Sequence, residues 1–78
     1  MGHNRNQEYI IAFGKHLRNL RESKRLTQDE LADKCEIPLS QVGRMERGTR
    51  SPTLSTILIL AKGLGVEPKM LLDFMYKS

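Results

Sequence analysis

Residues 26–48 read LTQDELADKCEIPLSQVGRMERG, and the fold follows from this stretch. Thr27 is followed three residues later by Glu30, a capping box in which hydroxyl and carboxylate satisfy each other's orphan amides. It opens a two-turn helix, about Gln28 to Cys35, with Leu31, Ala32 and Cys35 as its apolar face. Glu36-Ile37 is a tight connection, because the Pro38 ring clashes with a continuing helix and supplies no N–H. A second short helix runs from Pro38 or Leu39 to Arg47, with Val42 and Met45 inward and Gly48 as a left-handed stop. Two helices this short cannot bury themselves, so flanking helices must cover them. Packed steeply, such a pair leaves its second member protruding, and a lone helix fits a DNA major groove about 12 Å wide.

The flanks supply the cover. Ile10, Phe13, Leu17 and Leu20 recur at helical spacing in a first helix, about Gln7 to Lys24. Thr53 caps a fourth helix, Leu54 to about Gly63, whose expected buried stripe is Leu54, Ile57, Leu60, Ala61 and Leu64. Pro68 suits the first turn of a fifth, Pro68 to about Tyr76. No alternating β-branched run predicts a strand. The expectation is an all-α, five-helix bundle filling residues 1–78 as one domain, with a flexible N-terminus at 1–6 and a C-terminal helical segment at 67–78.

The chain has 78 residues, 38% hydrophobic and 28% charged, which suits one soluble globular domain. Thirteen Lys and Arg against nine Asp and Glu give +4, which favours an anionic partner without deciding one. No run approaches the roughly 20 apolar residues of a membrane span, and the first residues lack a signal-peptide pattern. A soluble cytoplasmic protein is expected. The single cysteine, Cys35, reads as a small buried hydrophobe, and His16 as a solvated or half-buried structural residue rather than a base. No nucleophile–base pair, carboxylate pair or ligand cluster appears, so no enzyme, metal or cofactor is expected.

Leu20-Arg21-Glu22, Leu26 to Ala32, Ile37, Val42 to Gly48, Pro52-Thr53-Leu54, Leu60 to Val66 and Leu71-Leu72 together resemble the phage repressor/Cro helix-turn-helix family, also called the xenobiotic-response-element family. The likeness covers about residues 13 to 74. Length and layout are also similar to restriction–modification controller proteins. The resemblance implies a lambda-repressor-like domain that regulates transcription by binding double-stranded DNA.

It also implies roles for single residues. Leu39, Ser40, Gly43 and Arg44 match groove-facing positions, with Arg44 able to pair bidentately with a guanine. Gln28, Gln41, Arg47 and Arg50 match phosphate-contacting positions, which orient without specifying. Arg21 and Glu46 match a structural salt bridge. Glu36 stands where the family usually has Gly, so the turn must hold a non-Gly residue in an awkward or shifted backbone region. Pro38 replaces the usual Ser or Thr cap, so the second short helix begins either at Pro38 or later with Ser40 as its cap.

One reading helix covers too few base pairs for a genome, so a homodimer on a palindromic operator is expected. Leu58, Ile59, Met70, Phe74, Met75 and Tyr76 are the candidate interface. No small-molecule effector is expected. The alternative is an antitoxin-like protein-interaction module on the same fold.

Overall fold

The computed structural model describes residues 5–74. They form four α-helices, α1 (Arg5–Ser23), α2 (Gln28–Cys35), α3 (Leu39–Glu46) and α4 (Leu54–Leu64), followed by a 3-10 turn at Pro68–Leu72. The fifth helix of the sequence reading is therefore a correction: this element is one short 3-10 segment. Its bonds run from Met70 N to Glu67 O (2.9 Å) and from Asp73 N to Met70 O (3.4 Å). In an α-helix the Met70 carbonyl would serve the amide of Phe74. Here it also accepts from His16, and five residues are too few to offset helix nucleation. At the other end α1 starts at Arg5, ahead of the Gln7 expected from sequence, and residues 1–4 of the expected flexible N-terminus lie outside the described residues.

Local chemistry sets the boundaries. Thr27 accepts from Glu30 N while the Glu30 carboxylate accepts from Thr27 N at 2.8 Å, a complete capping box. Glu36 takes the left-handed conformation (φ 57°, ψ 44°), with its amide bonded back to Ala32 and Asp33. A non-Gly residue there costs of order 1 kcal/mol, and it lets the chain reverse within three residues. Pro38 is itself the extended N-cap of α3 and makes no side-chain cap bond, so the helix starts at Leu39. Gly48 follows α3 at φ 77°, with Ile11 of α1 pressed where a side chain would stand.

The core is one cluster drawn from every element. Leu17, Leu31, Val42, Met45, Leu60 and Leu71 are fully buried, and Phe13, Ala32, Cys35, Ala61 and Leu64 complete it. The stripe expected for α4 needs correcting. Leu54 is 75% exposed, whereas Thr56 is buried with its hydroxyl 2.9 Å from that of Thr53. The sequence LSTILILA is apolar on nearly every side, so periodicity fixes the phase of this helix poorly. The Thr53–Thr56 pairing turns Leu54 outward.

Two contacts hold α3. Its backbone lies directly on α1 at Gly14, where a Cβ would collide with the carbonyl of Met45 and stand 2.8 Å from that of Glu46. Beside this crossing, Arg21 of α1 grips Glu46 with two parallel bonds, Nε to Oε2 at 2.6 Å and Nη2 to Oε1 at 2.9 Å. The Arg21 and Glu46 side chains are only 10% and 3% exposed. Arg21 also donates through Nη1 to the Leu26 carbonyl (2.8 Å), and Gln28 donates through Nε2 to Glu46 (2.9 Å). One carboxylate thus ties α1, the start of α2 and the end of α3. The hydrogen bond to Glu46 is the main reason the guanidinium is held still more firmly charged than usual, against the opposing effect of burial.

Gly14→Ala should lower stability by about 1–3 kcal/mol despite alanine's better helix propensity, since the obstruction is backbone; a higher melting temperature for this variant would refute the close crossing. Glu46→Ala strands a buried guanidinium and should cost about 3–5 kcal/mol, lowering Tm by more than about 12 °C. The double replacement Arg21→Met with Glu46→Leu should recover most of that loss. Thermal melts of the three proteins check this, and equal losses for the single and double variants would contradict it.

Candidate nucleic-acid interface

The inward side of α3 is used up by packing on α1 and α2: Val42 and Met45 are fully buried. The opposite side is open. Leu39, Ser40, Arg44 and Arg47 are all exposed along it, and Arg50 is exposed in the following loop. They recur at helical spacing, so one stripe carries an apolar tip, a hydroxyl and two guanidinium groups. Leu39 remains 47% exposed, a large apolar side chain at the very start of the helix. Among the described residues, Arg44, Arg47 and Arg50 form no ion pair. Their charge faces solvent, suited to an anion or to the electronegative edge of a base.

The other expected contacts differ in setting. Gln41 is half-buried beside the stripe. Gly43 is buried rather than presented: a Cβ there would stand 3.0 Å from Nη1 of Arg47 and 3.8 Å from Oε1 of Gln28. Its lack of a side chain makes room for the Arg47 guanidinium to fold over the helix. Gln28 stands at the first position of α2, where amides lack intrahelical partners and the helix dipole favours an anion. Its side-chain N–H is already committed to Glu46. That bond was not foreseen from sequence, although a Gln opening α2 and a Glu closing α3 meet in this kind of corner.

The end of α3 is held as firmly as its middle. The Arg44 carbonyl accepts from both the amide and the hydroxyl of Thr49, at 3.0 and 3.1 Å. The loop bearing Arg50 is therefore fixed to the helix bearing Arg44.

Large apolar side chains are also exposed outside α3. Leu58 and Ile59 are exposed on α4, and Met70 and Phe74 are half-buried near the chain's end. Met75 and Tyr76 lie outside the described residues. Leu54 and Leu72 are also exposed large hydrophobics, and sequence reasoning placed neither there. The 3-10 geometry determines where Leu72 points, and periodicity does not reveal it. Cys35 is buried, its thiol 3.6 Å from the Ile59 carbonyl and pressed against Gly63, and burial pushes its pKa up. Among the described residues no group of His, Cys, Asp and Glu could hold a metal, and no helix is long and apolar enough to cross a membrane.

Comparison with known proteins matches residues 17–71 to the Helix-turn-helix family. The chain is 42% identical over 65 residues to the control protein C.BamHI of Bacillus amyloliquefaciens, covering 82% of this chain and 80% of that one. It is 33% identical over 57 residues to the immunity repressor of Bacillus phage phi105, covering 73% of this chain and 40% of the repressor. Among solved structures, the restriction-modification controller protein C.AhdI from Aeromonas hydrophila superposes with a TM-score of 0.77 at 44% identity, covering 80% of this chain and 94% of that one. The chain belongs to the helix-turn-helix family of DNA-binding transcription regulators.

Proposed function

We propose that this protein is a homodimeric, sequence-specific regulator that lays α3 into the major groove of a palindromic operator, and that it controls the genes of a restriction–modification system. The exposed stripe Leu39, Ser40, Arg44, on a helix pinned from behind by a buried ion pair, carries this reading. In the groove Arg44 pairs with O6 and N7 of a guanine, Leu39 meets a thymine methyl, and Ser40 adds a bond of low selectivity. Arg47, Arg50, Gln41 and the start of α2 at Gln28 clamp the flanking phosphates. The backbone at Gly43 allows close approach and reads nothing itself.

Two copies place two such helices on half-sites about 34 Å apart. Leu58 and Ile59, with Met70, Phe74, Met75 and Tyr76, form the contact between copies, and Leu54 and Leu72 extend it. Controller proteins such as C.BamHI and C.AhdI are similar over most of this chain, which supports the restriction–modification setting. Concentration, through dimerisation, is the switch, and no metal, cofactor or small-molecule effector takes part.

Selection from random duplexes should return a palindrome. On that site Arg44→Ala should weaken binding by about 1–3 kcal/mol while leaving non-specific binding nearly intact. Arg50→Ala should weaken all duplexes alike and reduce the salt slope by about 1. An Arg44→Ala protein with an undiminished ratio of specific to non-specific affinity would remove the base-reading role. Leu58→Glu should shift the protein to monomer in sedimentation and reduce operator affinity, with the fold retained by circular dichroism; an unchanged dimer would exclude this face as the contact.

A further inference from the structure

We infer that His16 is a positioning residue that sets the orientation of the C-terminal segment on the reading body, and through it the half-site spacing. The inference rests on the dimeric reading above. The segment Pro68–Leu72 is weakly held by its own structure: it is a single 3-10 turn, and its N-cap Glu67 makes no side-chain cap bond. Leu71 is its one fully buried side chain. Leu71 and the packing on α4 fix where this short element sits, and its side toward α1 needs a further point of attachment.

His16 supplies the second point. It sits at mid-length in α1, one position before the fully buried Leu17. Its Nε2 lies 2.6 Å from the Met70 carbonyl. That oxygen can only accept, so Nε2 is the donor. The imidazole also lies against Phe74, ring centroids 5.4 Å apart and tilted by 43°. One ring therefore holds the segment at both Met70 and Phe74, either side of the exposed Leu72.

The position in the chain gives this contact its consequence. Gly14 and Arg21, which hold α3, belong to the same rigid helix as His16. The orientation of the segment carrying Met70, Leu72 and Phe74 relative to α3 then depends on its packing against α4 and, on the side of α1, on this one ring. In a two-fold dimer any pivot of that segment is doubled between the two reading helices, and it appears as altered spacing between half-sites.

The experiment uses the full chain, with self-association followed by sedimentation and binding measured on palindromes whose half-sites are moved by one base pair either way. His16→Phe keeps a ring against Phe74 but removes the donor. It should fold, associate roughly tenfold more weakly, the scale of one lost hydrogen bond, and lose most of its preference among spacings. His16→Gln keeps an N–H donor and should retain that preference. A His16→Phe dimer matching the wild type in both association and spacing preference overturns the inference. So does loss of the preference in His16→Gln, which also decides the matter should His16→Phe not fold. A wild-type chain that stays monomeric on its operator sinks the dimeric reading itself, whereas a wild-type dimer indifferent to His16 sinks only this assignment.

Discussion

Glu46 carries a charge almost withdrawn from water, and the placement of the reading helix depends on how that charge is satisfied. Two bonds come from Arg21 and a third from Gln28. An isolated buried carboxylate would be costly, so the arrangement is close to all-or-none: if α3 shifts, it loses a carboxylate's partners and strands a guanidinium. An apolar contact of equal area would tolerate sliding, because burial is non-directional. The bidentate geometry tolerates little, so it fixes the direction in which the outer residues of α3 face.

Gly14 makes this possible. The ion pair can close only if α1 and α3 approach until their backbones touch, and any side chain at residue 14 would hold them apart. A glycine inside a helix costs roughly 1 kcal/mol in propensity; here it permits the close crossing at which the ion pair forms. Gly43 works differently, on the outer half of α3, where its missing side chain lets the Arg47 guanidinium lie across the helix. The two glycines bring a backbone close on one side of α3 and a charge close on the other.

Much of this was legible in the sequence where local chemistry decides the outcome. The Thr27–Glu30 box, the Pro38 break and the Gly48 stop act over three or four residues, and α2 and α3 lie where those signals put them. The Arg21–Glu46 pair came from family likeness, since a contact 25 residues apart in sequence leaves no periodic trace. Reading was weakest at α4 and beyond. An almost uniformly apolar helix has no phase to detect, so Leu54 was placed inside and Thr56 overlooked. The C-terminal turn holds too few residues to sustain an α-helix, and the tertiary bond from His16 to Met70 that anchors it is one that no local pattern announces. Gly14 offered a signal that went unused, as a lone glycine within an apolar period implies close approach.

On the proposed function, size explains why the exposed apolar side chains of α4 and the stripe on α3 belong to one design. A chain of 78 residues has little interior, and its buried core holds only one or two large side chains from each element. Leu54, Leu58 and Leu72 cannot be placed inside such a core, and a lone domain gains nothing by exposing them to water. In the proposed dimer, a second copy removes them from solvent and adds the stability that a small core lacks. On the proposed reading, the same event brings two reading helices into register. Folding stability and DNA affinity then rise together with protein concentration, which is the response required of a regulator that must remain inactive until enough of it has accumulated.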